Sequence, residues 1–471
     1  LRDAYALRTQ TLELASRRRL SFGESEQATT AGLLAEHFEN LEPSRILTTS
    51  RTFPRYVRAD LVRAIATLWQ GEEPRSVGAF ARYGFDTMTY GALTQHRHEP
   101  VVVAPLHLEA VDVGDDQPVQ CPKVALWLGK RRIPFALLLS ESRQHGEGRG
   151  WHVELCVPAG SDGEALASGL FRQLELELNR AASYRGKVLS LECDPSYRGM
   201  SAGNIIVHRL APVGREQLIL PERTLELIER NVFRFFEQRA RLTALGMPMK
   251  KGLLFYGPPG TGKTHTIRYL AHRLAEHTTL LVTAAQVAVI AEYLALARLL
   301  SPALVVIEDV DLIARDREDM RHPAEESLLN RLLNEMDGLR ENSEVLFVLT
   351  TNRAEALEQA LAGRPGRVDQ AIEFPLPDAS SRRRLLELYR HGLELPTELE
   401  ADLVRRTDGA SGAFIKELMR RAAQFSLERS EGARLTQGAL DAALAELLFD
   451  GGSLNAKLLG ASATLGAQKE G

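Results

Sequence analysis

The chain has 471 residues, 44% apolar and 25% charged, with a net charge of −4. That length exceeds one ordinary core and sets two or three domains as the expectation, while the acidic balance gives no electrostatic footprint for nucleic acid, so none is expected as a partner. No apolar run approaches the roughly 20 residues needed to span a bilayer. Three scattered cysteines, Cys121, Cys156 and Cys193, argue against a disulfide framework or a zinc cluster and suit a reducing, cytoplasmic compartment. The chain begins at Leu1 rather than methionine, which leaves room for an upstream segment with a targeting signal.

The stretch to about Gln70 mixes arginine-rich and polar runs, with a helix expected at Arg58–Trp69. Apolar segments at Val101–Val113, Val124–Leu139 and His152–Val157, bounded by Gly, Pro or polar clusters, read as strands. Leu166, Leu170, Leu174 and Leu178 recur every fourth residue and place a helix over Glu164–Asn179. Lys187–Glu192 and Asn204–Leu210 read as two further strands. Residues 1–215 are therefore expected to form an accessory α/β or α+β domain. Its histidines, including His96, His98, His107 and His152, have no recognised metal-ligand spacing.

Beyond Leu218 helices and strands alternate regularly, which signals a parallel sheet. The strands are expected at Leu253–Tyr256, Leu280–Thr283, Ala303–Ile307, Val345–Thr350 and Ala371–Phe374. An amphipathic helix carrying Leu328, Leu329, Leu332, Leu333, Met336 and Leu339 on one face precedes the fourth. The expected division is an α/β core over 216–377, a helical lid over 378–450 and a mobile tail over 451–471.

Chemistry concentrates in this second half. Gly257, Pro258, Pro259, Gly260, Thr261, Gly262, Lys263 and Thr264 fit G-x-x-x-x-G-K-[ST], with a strand before and a helix after. Such a loop curls consecutive backbone N–H groups around phosphate oxygens at a helix N-terminus. Lys263 is expected to reach the β and γ phosphates of ATP, and the Thr264 hydroxyl to ligand Mg²⁺. The strand Ala303–Ile307 delivers Glu308 and Asp309 at its C-terminal end, where a parallel sheet places its ligand crevice. One carboxylate would hold the metal's water shell, the other would orient and deprotonate an attacking water.

These residues, with those that follow, resemble the AAA family of ATPases within the AAA+ superfamily. The helix Leu328–Leu339 looks like the one before that family's fourth strand. Phe347-Val-Leu-Thr-Thr-Asn352 is similar to its sensor-1 strand, which implies that Asn352 helps place the lytic water. Gly363-Arg-Pro-Gly-Arg-Val-Asp369 resembles its second region of homology, where the arginine fingers fall on Arg364 and Arg367. Gly409-Ala-Ser-Gly-Ala413 resembles the sensor-2 turn, so Gly412 and Ala413 would pack near the adenine. The resemblance covers Leu218 to about Leu448 and not the N-terminal half.

Three departures stand out. The family's usual Asp-Glu order at the second motif is inverted here to Glu308-Asp309, an order also seen in the mitochondrial membrane ATPase that moves the folded Rieske protein. By position Glu308 would serve the metal and Asp309 the water. After the second strand, Ala284–Tyr293 lacks the aromatic–hydrophobic–glycine loop that grips an unfolded chain, and Tyr293 is expected to pack on a helix. Gln370 follows Asp369 where another arginine is usual. The resemblance implies ATP hydrolysis by a homo-oligomeric ring, by analogy a hexamer, that remodels or moves a protein substrate bound directly or through an adaptor by the N-terminal domain. A slow nucleotide-dependent scaffold or switch is the alternative.

Overall fold

The computed structural model describes residues 28–69, 74–81, 87–95, 100–142, 150–180, 182–196, 199–312, 328–338, 343–355, 368–429 and 432–450. The expected tail over 451–471 lies outside them, as do His96, His98, Leu339, Arg364 and Arg367. The chain divides into two units, residues 1–111 with 120–178, and residues 112–119 with 179–471.

The first unit is built on a six-stranded sheet. Its strands are β1 (Ile46–Pro54), β2 (Arg75–Phe80), β3 (Val102–Ala104), β4 (Ala125–Lys130), β5 (Pro134–Ser142) and β6 (Gly150–Pro158), in the order β1-β6-β5-β4-β2-β3. All the pairings are antiparallel. The segment Val124–Leu139, expected as a strand, is a hairpin that turns at Arg131–Ile133 and pairs Leu126 with Leu138. Its break is the polar Lys130-Arg131-Arg132. The unit also contains helices α1 (Thr30–His37), α2 (Arg58–Thr67) and α3 (Ser161–Asn179). The fourfold leucine spacing does its expected work, since α3 buries Leu170, Leu174 and Leu178.

The second unit contains a seven-stranded sheet. Its strands are β7 (Val188–Ser196), β8 (Gly199–His208), β9 (Lys251–Tyr256), β10 (Thr278–Val282), β11 (Ala303–Ile307), β12 (Val345–Thr351) and β13 (Gln370–Glu373). The order is β8-β7-β10-β11-β12-β9-β13. Every pairing is parallel except β8 with β7, a hairpin. Residues 188–208 fall on the accessory side of the boundary expected at 215. By hydrogen bonding the hairpin extends the parallel sheet instead, with Thr279 opposite Val188 and Leu280 opposite Leu189.

Alternate residues of the central strands point to one side, so Leu253, Phe255, Leu304, Val306, Leu346 and Val348 share a single buried cluster. Ile267 and Leu270, from helix α4 (Lys263–Arg273), pack into it. Helices α5 (Ile290–Leu299) and α6 (Leu328–Asp337) follow β10 and β11 in the chain. Leu332, Leu333 and Met336 of α6 are buried, as their spacing requires. A bundle of α7 (Ala379–Arg390), α8 (Thr397–Arg406), α9 (Gly412–Glu428) and α10 (Gln437–Ala445) closes the described chain. It has its own core around Leu386, Phe414, Leu418 and Leu440. Among the described residues no helix is long and apolar enough to cross a membrane.

Candidate nucleotide site

The parallel order places the C-terminal ends of β9, β11 and β12 side by side, and the chemistry-bearing residues leave the sheet there. After β9 the loop 257–262 turns into α4. Gly260 has φ +75°, and a Cβ there would sit 2.6 Å from Ser411 Oγ and 2.8 Å from Ala413 Cβ. Glycine is needed both for the left-handed backbone and for the close approach of the lid. Gly257, at φ +142°, has no room for a side chain against the Phe374 carbonyl.

Lys263 opens α4 and is 7% exposed. Its ammonium donates to the carbonyls of Gly257 (2.7 Å) and Pro258 (2.9 Å), so it lies folded over its own loop. Burial pushes its pKa down to about 8, against the opposing attraction of Asp309 and Asp311. A buried cation satisfied only by carbonyls gains from an incoming anion. The next residue, Thr264, donates its hydroxyl to Glu308 Oε1 at 3.1 Å.

Asp309 follows at φ +51°, a left-handed conformation that aspartate tolerates better than most residues. Its N–H donates to the Thr350 hydroxyl (3.1 Å), and its Oδ1 accepts from Asn352 Nδ2 (3.2 Å). The two carboxylates therefore face different partners, Glu308 the hydroxyl of the phosphate loop and Asp309 the amide at the end of β12. One further carboxylate, which the sequence reading passed over, sits behind them. Asp311 is 4% exposed and accepts from the Thr351 hydroxyl and the Asn352 N–H.

The helical bundle reaches the loop through the N-terminus of α9. Ser411 caps that helix, accepting from the Phe414 N–H (3.1 Å), while the Ala413 N–H donates to the Gly260 carbonyl (3.1 Å). Gly412 and Ala413 thus lie beside loop 257–262 and line a cavity of about 420 Å³. Lys263, Thr264, Asp309 and Asn352 line the same cavity, and Leu218 to Pro221 form another wall. Of the candidate site residues, Arg364 and Arg367 fall outside the described residues.

Tyr293 lies on α5 and is fully buried. Its hydroxyl accepts the Leu191 N–H of β7 at 2.8 Å, and Gln286 Nε2 donates to the Leu191 carbonyl at 2.8 Å. Both backbone groups of one hairpin residue are satisfied by side chains of the segment after β10. That segment presents no free aromatic at Tyr293.

A glycine-rich loop between a parallel strand and a helix, facing two strand-end carboxylates, defines a P-loop nucleotide-binding fold. Residues 253–376 match the model of the ATPase family associated with various cellular activities (AAA), and this part of the chain is an AAA domain. The chain is 32% identical to a 26S proteasome regulatory subunit 8 homolog of Schizosaccharomyces pombe, over 45% of this chain and 55% of that protein. It is also 32% identical to a proteasome-activating nucleotidase of Methanothermobacter thermautotrophicus, over 52% and 62%. With the ATP-dependent zinc metalloprotease FtsH 3 of Sphaerobacter thermophilus the identity is 33%, over 52% of each chain. The chain thus spans little more than half the length of these curated relatives.

Proposed function

We propose that this chain hydrolyses ATP with Mg²⁺ and, as a ring of identical subunits, uses the energy to remodel or move a protein substrate. The observation that carries the reading is the pairing of Thr264 with Glu308 and of Asn352 with Asp309 around the buried Lys263. In this reading Lys263 leaves its carbonyl partners for the β and γ phosphates. Asp309 orients the attacking water and takes its proton, held in position by Asn352. The Thr264 hydroxyl and Glu308 carboxylate are hard oxygen donors 3.1 Å apart beside the loop, a set that fits Mg²⁺. When bound, Mg²⁺ neutralises charge on the phosphate oxygens.

Two of the relatives are named for the proteasome and one as a zinc metalloprotease. The His-Glu-x-x-His zinc motif does not occur in these 471 residues, so the proposal stops at ATP hydrolysis and its mechanical use. The burial of Tyr293 weighs against gripping an unfolded chain at that residue and keeps the slow scaffold or switch as the second reading. Arg364 and Arg367 are assigned, on the family resemblance, as fingers reaching a neighbour's site in a hexamer. The N-terminal unit is assigned to substrate or adaptor binding, and the three free thiols suit a cytoplasmic setting.

The test is turnover. Asp309→Asn should bind ATP normally and hydrolyse it at least about 10²-fold more slowly, the scale of a lost general base. Mixing Arg367→Ala with Lys263→Ala subunits should restore part of the activity that each lacks alone. Unchanged turnover in Asp309→Asn, or no rescue at any ratio with subunit exchange demonstrated, overturns the role assignment or the shared site respectively.

A further inference from the structure

The strand that supplies Glu308 and Asp309 brings a third carboxylate with it, and the reading above gives that group no task. Asp311 is 4% exposed, although an ionised carboxyl is expensive to take out of water unless hydrogen bonds replace the lost hydration. Its Oδ1 receives two: the Thr351 hydroxyl at 3.0 Å and the Asn352 N–H at 3.3 Å. Thr351 is fully buried, and its oxygen accepts in turn from the Arg353 N–H at 2.9 Å. Three consecutive residues at the end of β12 are thereby tied to one carboxylate. From the middle one, Asn352, the side-chain amide reaches forward to Asp309 Oδ1.

The connectivity is a closed relay. Asp311 fixes the backbone of Asn352, Asn352 holds the carboxylate of Asp309, and Asp309 lies two residues from Asp311 in the same turn. Asp309 sits at φ +51°, so its own backbone is not in a broad energy well that would set the side chain unaided. We propose that Asp311 is a positioning residue for ATP hydrolysis, setting the distance between Asn352 and Asp309 without touching the nucleotide. The inference rests on the hydrolytic reading above and deepens it.

Asp311→Ala removes the acceptor, and Asp311→Asn keeps an oxygen in the same place without the charge. Asp311→Ala should lower kcat by about 10²-fold, the cost of a misplacement near 1 Å, while ATP affinity stays within about twofold, as expected of a group that does not touch the nucleotide. Asp311→Asn should recover most of that rate. The double variant Asp311→Ala/Asn352→Ala should be no slower than Asn352→Ala alone, because both act through one contact. If Asp311→Ala does not fold, Thr351→Val removes the same hydroxyl donor with little change of volume and should slow turnover in the same direction.

A merely structural role would lower the melting temperature without splitting kcat from ATP affinity. Near-wild-type kcat in folded Asp311→Ala, additivity with Asn352→Ala, or Asp311→Asn as slow as Asp311→Ala overturns the inference. Turnover lost in Asp309→Asn but kept in Asp311→Ala condemns the Asp311 role alone. Turnover that survives Asp309→Asn condemns the site reading and the Asp311 role together.

Discussion

The two units spend their polar side chains in opposite ways. In the first, Glu154 is 6% exposed and accepts the Tyr90 N–H at 2.6 Å, while Ser140 donates to the Met88 carbonyl. Thr30 likewise donates to the carbonyls of Leu93 and Val101. Each of these groups fastens one segment of the unit to another. In the second unit, Lys263 donates to carbonyls of its own loop, Thr264 pairs with Glu308, and Asp309 accepts from Asn352, at or beside the ends of strands. Lys263, Thr264 and Asp309 also line the cavity beside that loop, where a ligand would compete for their hydrogen bonds. Bonded polar side chains are common to both units; in the second they border a cavity of about 420 Å³.

Tyr293→Ala sharpens that contrast from the side of packing. It removes a fully buried ring and orphans the Leu191 N–H, and should cost about 3–5 kcal/mol of stability. Thermal melting together with basal ATPase reads it. A variant that melts like wild type and loses only substrate-stimulated turnover would make Tyr293 a gripping residue after all.

Lys263→Ala should weaken ATP binding by about 2–5 kcal/mol, the scale for truncating one partner of a buried charge pair. Equilibrium binding within threefold of wild type would break the phosphate-loop assignment. The same lysine predicts a pH dependence. Its pKa in the free protein is lowered to about 8 by burial, and bound phosphates favour the charged form. ATP affinity should therefore fall as pH rises through 8, with proton uptake on binding measurable by calorimetry in buffers of different ionisation enthalpy. No uptake near pH 8 would mean that the ammonium does not change its surroundings when ATP arrives.

The smallest effect belongs to the first unit. Burial raises the pKa of Glu154, against the opposing bonds from Tyr90 and Thr48. A carboxyl whose folded pKa lies above its unfolded value destabilises the fold as pH climbs from the unfolded value through the folded one. Glu154→Gln keeps an acceptor for Tyr90 and should raise the melting temperature slightly at neutral pH, with no gain in acid and no change in ATP binding. A neutral-pH loss would show that the charge itself is needed there.

Much of the candidate site's arrangement was legible in the sequence, because phosphate chemistry prescribes residue types at spacings that a strand, a loop and a helix fix locally. Gly257 to Thr264 and Glu308-Asp309 are of that kind. Asp311 was not, since an aspartate after a strand looks like a solvated turn until Thr351 closes over it from forty residues away. The hairpin β7–β8 was recognisable as two strands, yet alternation names no partner. Its pairing with β10 spans some ninety residues and depends on which sheet edge is free. In Val124–Leu139 the polar Lys130-Arg131-Arg132 is where the segment folds back, a break the sequence already carried.

The hairpin also dictates where the molecule can be cut. A fragment begun at residue 215 would carry every phosphate-loop residue and yet strip β10 of its neighbour. The Tyr293 hydroxyl and the Gln286 amide would lose Leu191, and a bare parallel strand would become a template for association between molecules. A fragment meant to isolate the nucleotide chemistry has to start ahead of Lys187, whose carbonyl already accepts the Thr279 N–H of the sheet.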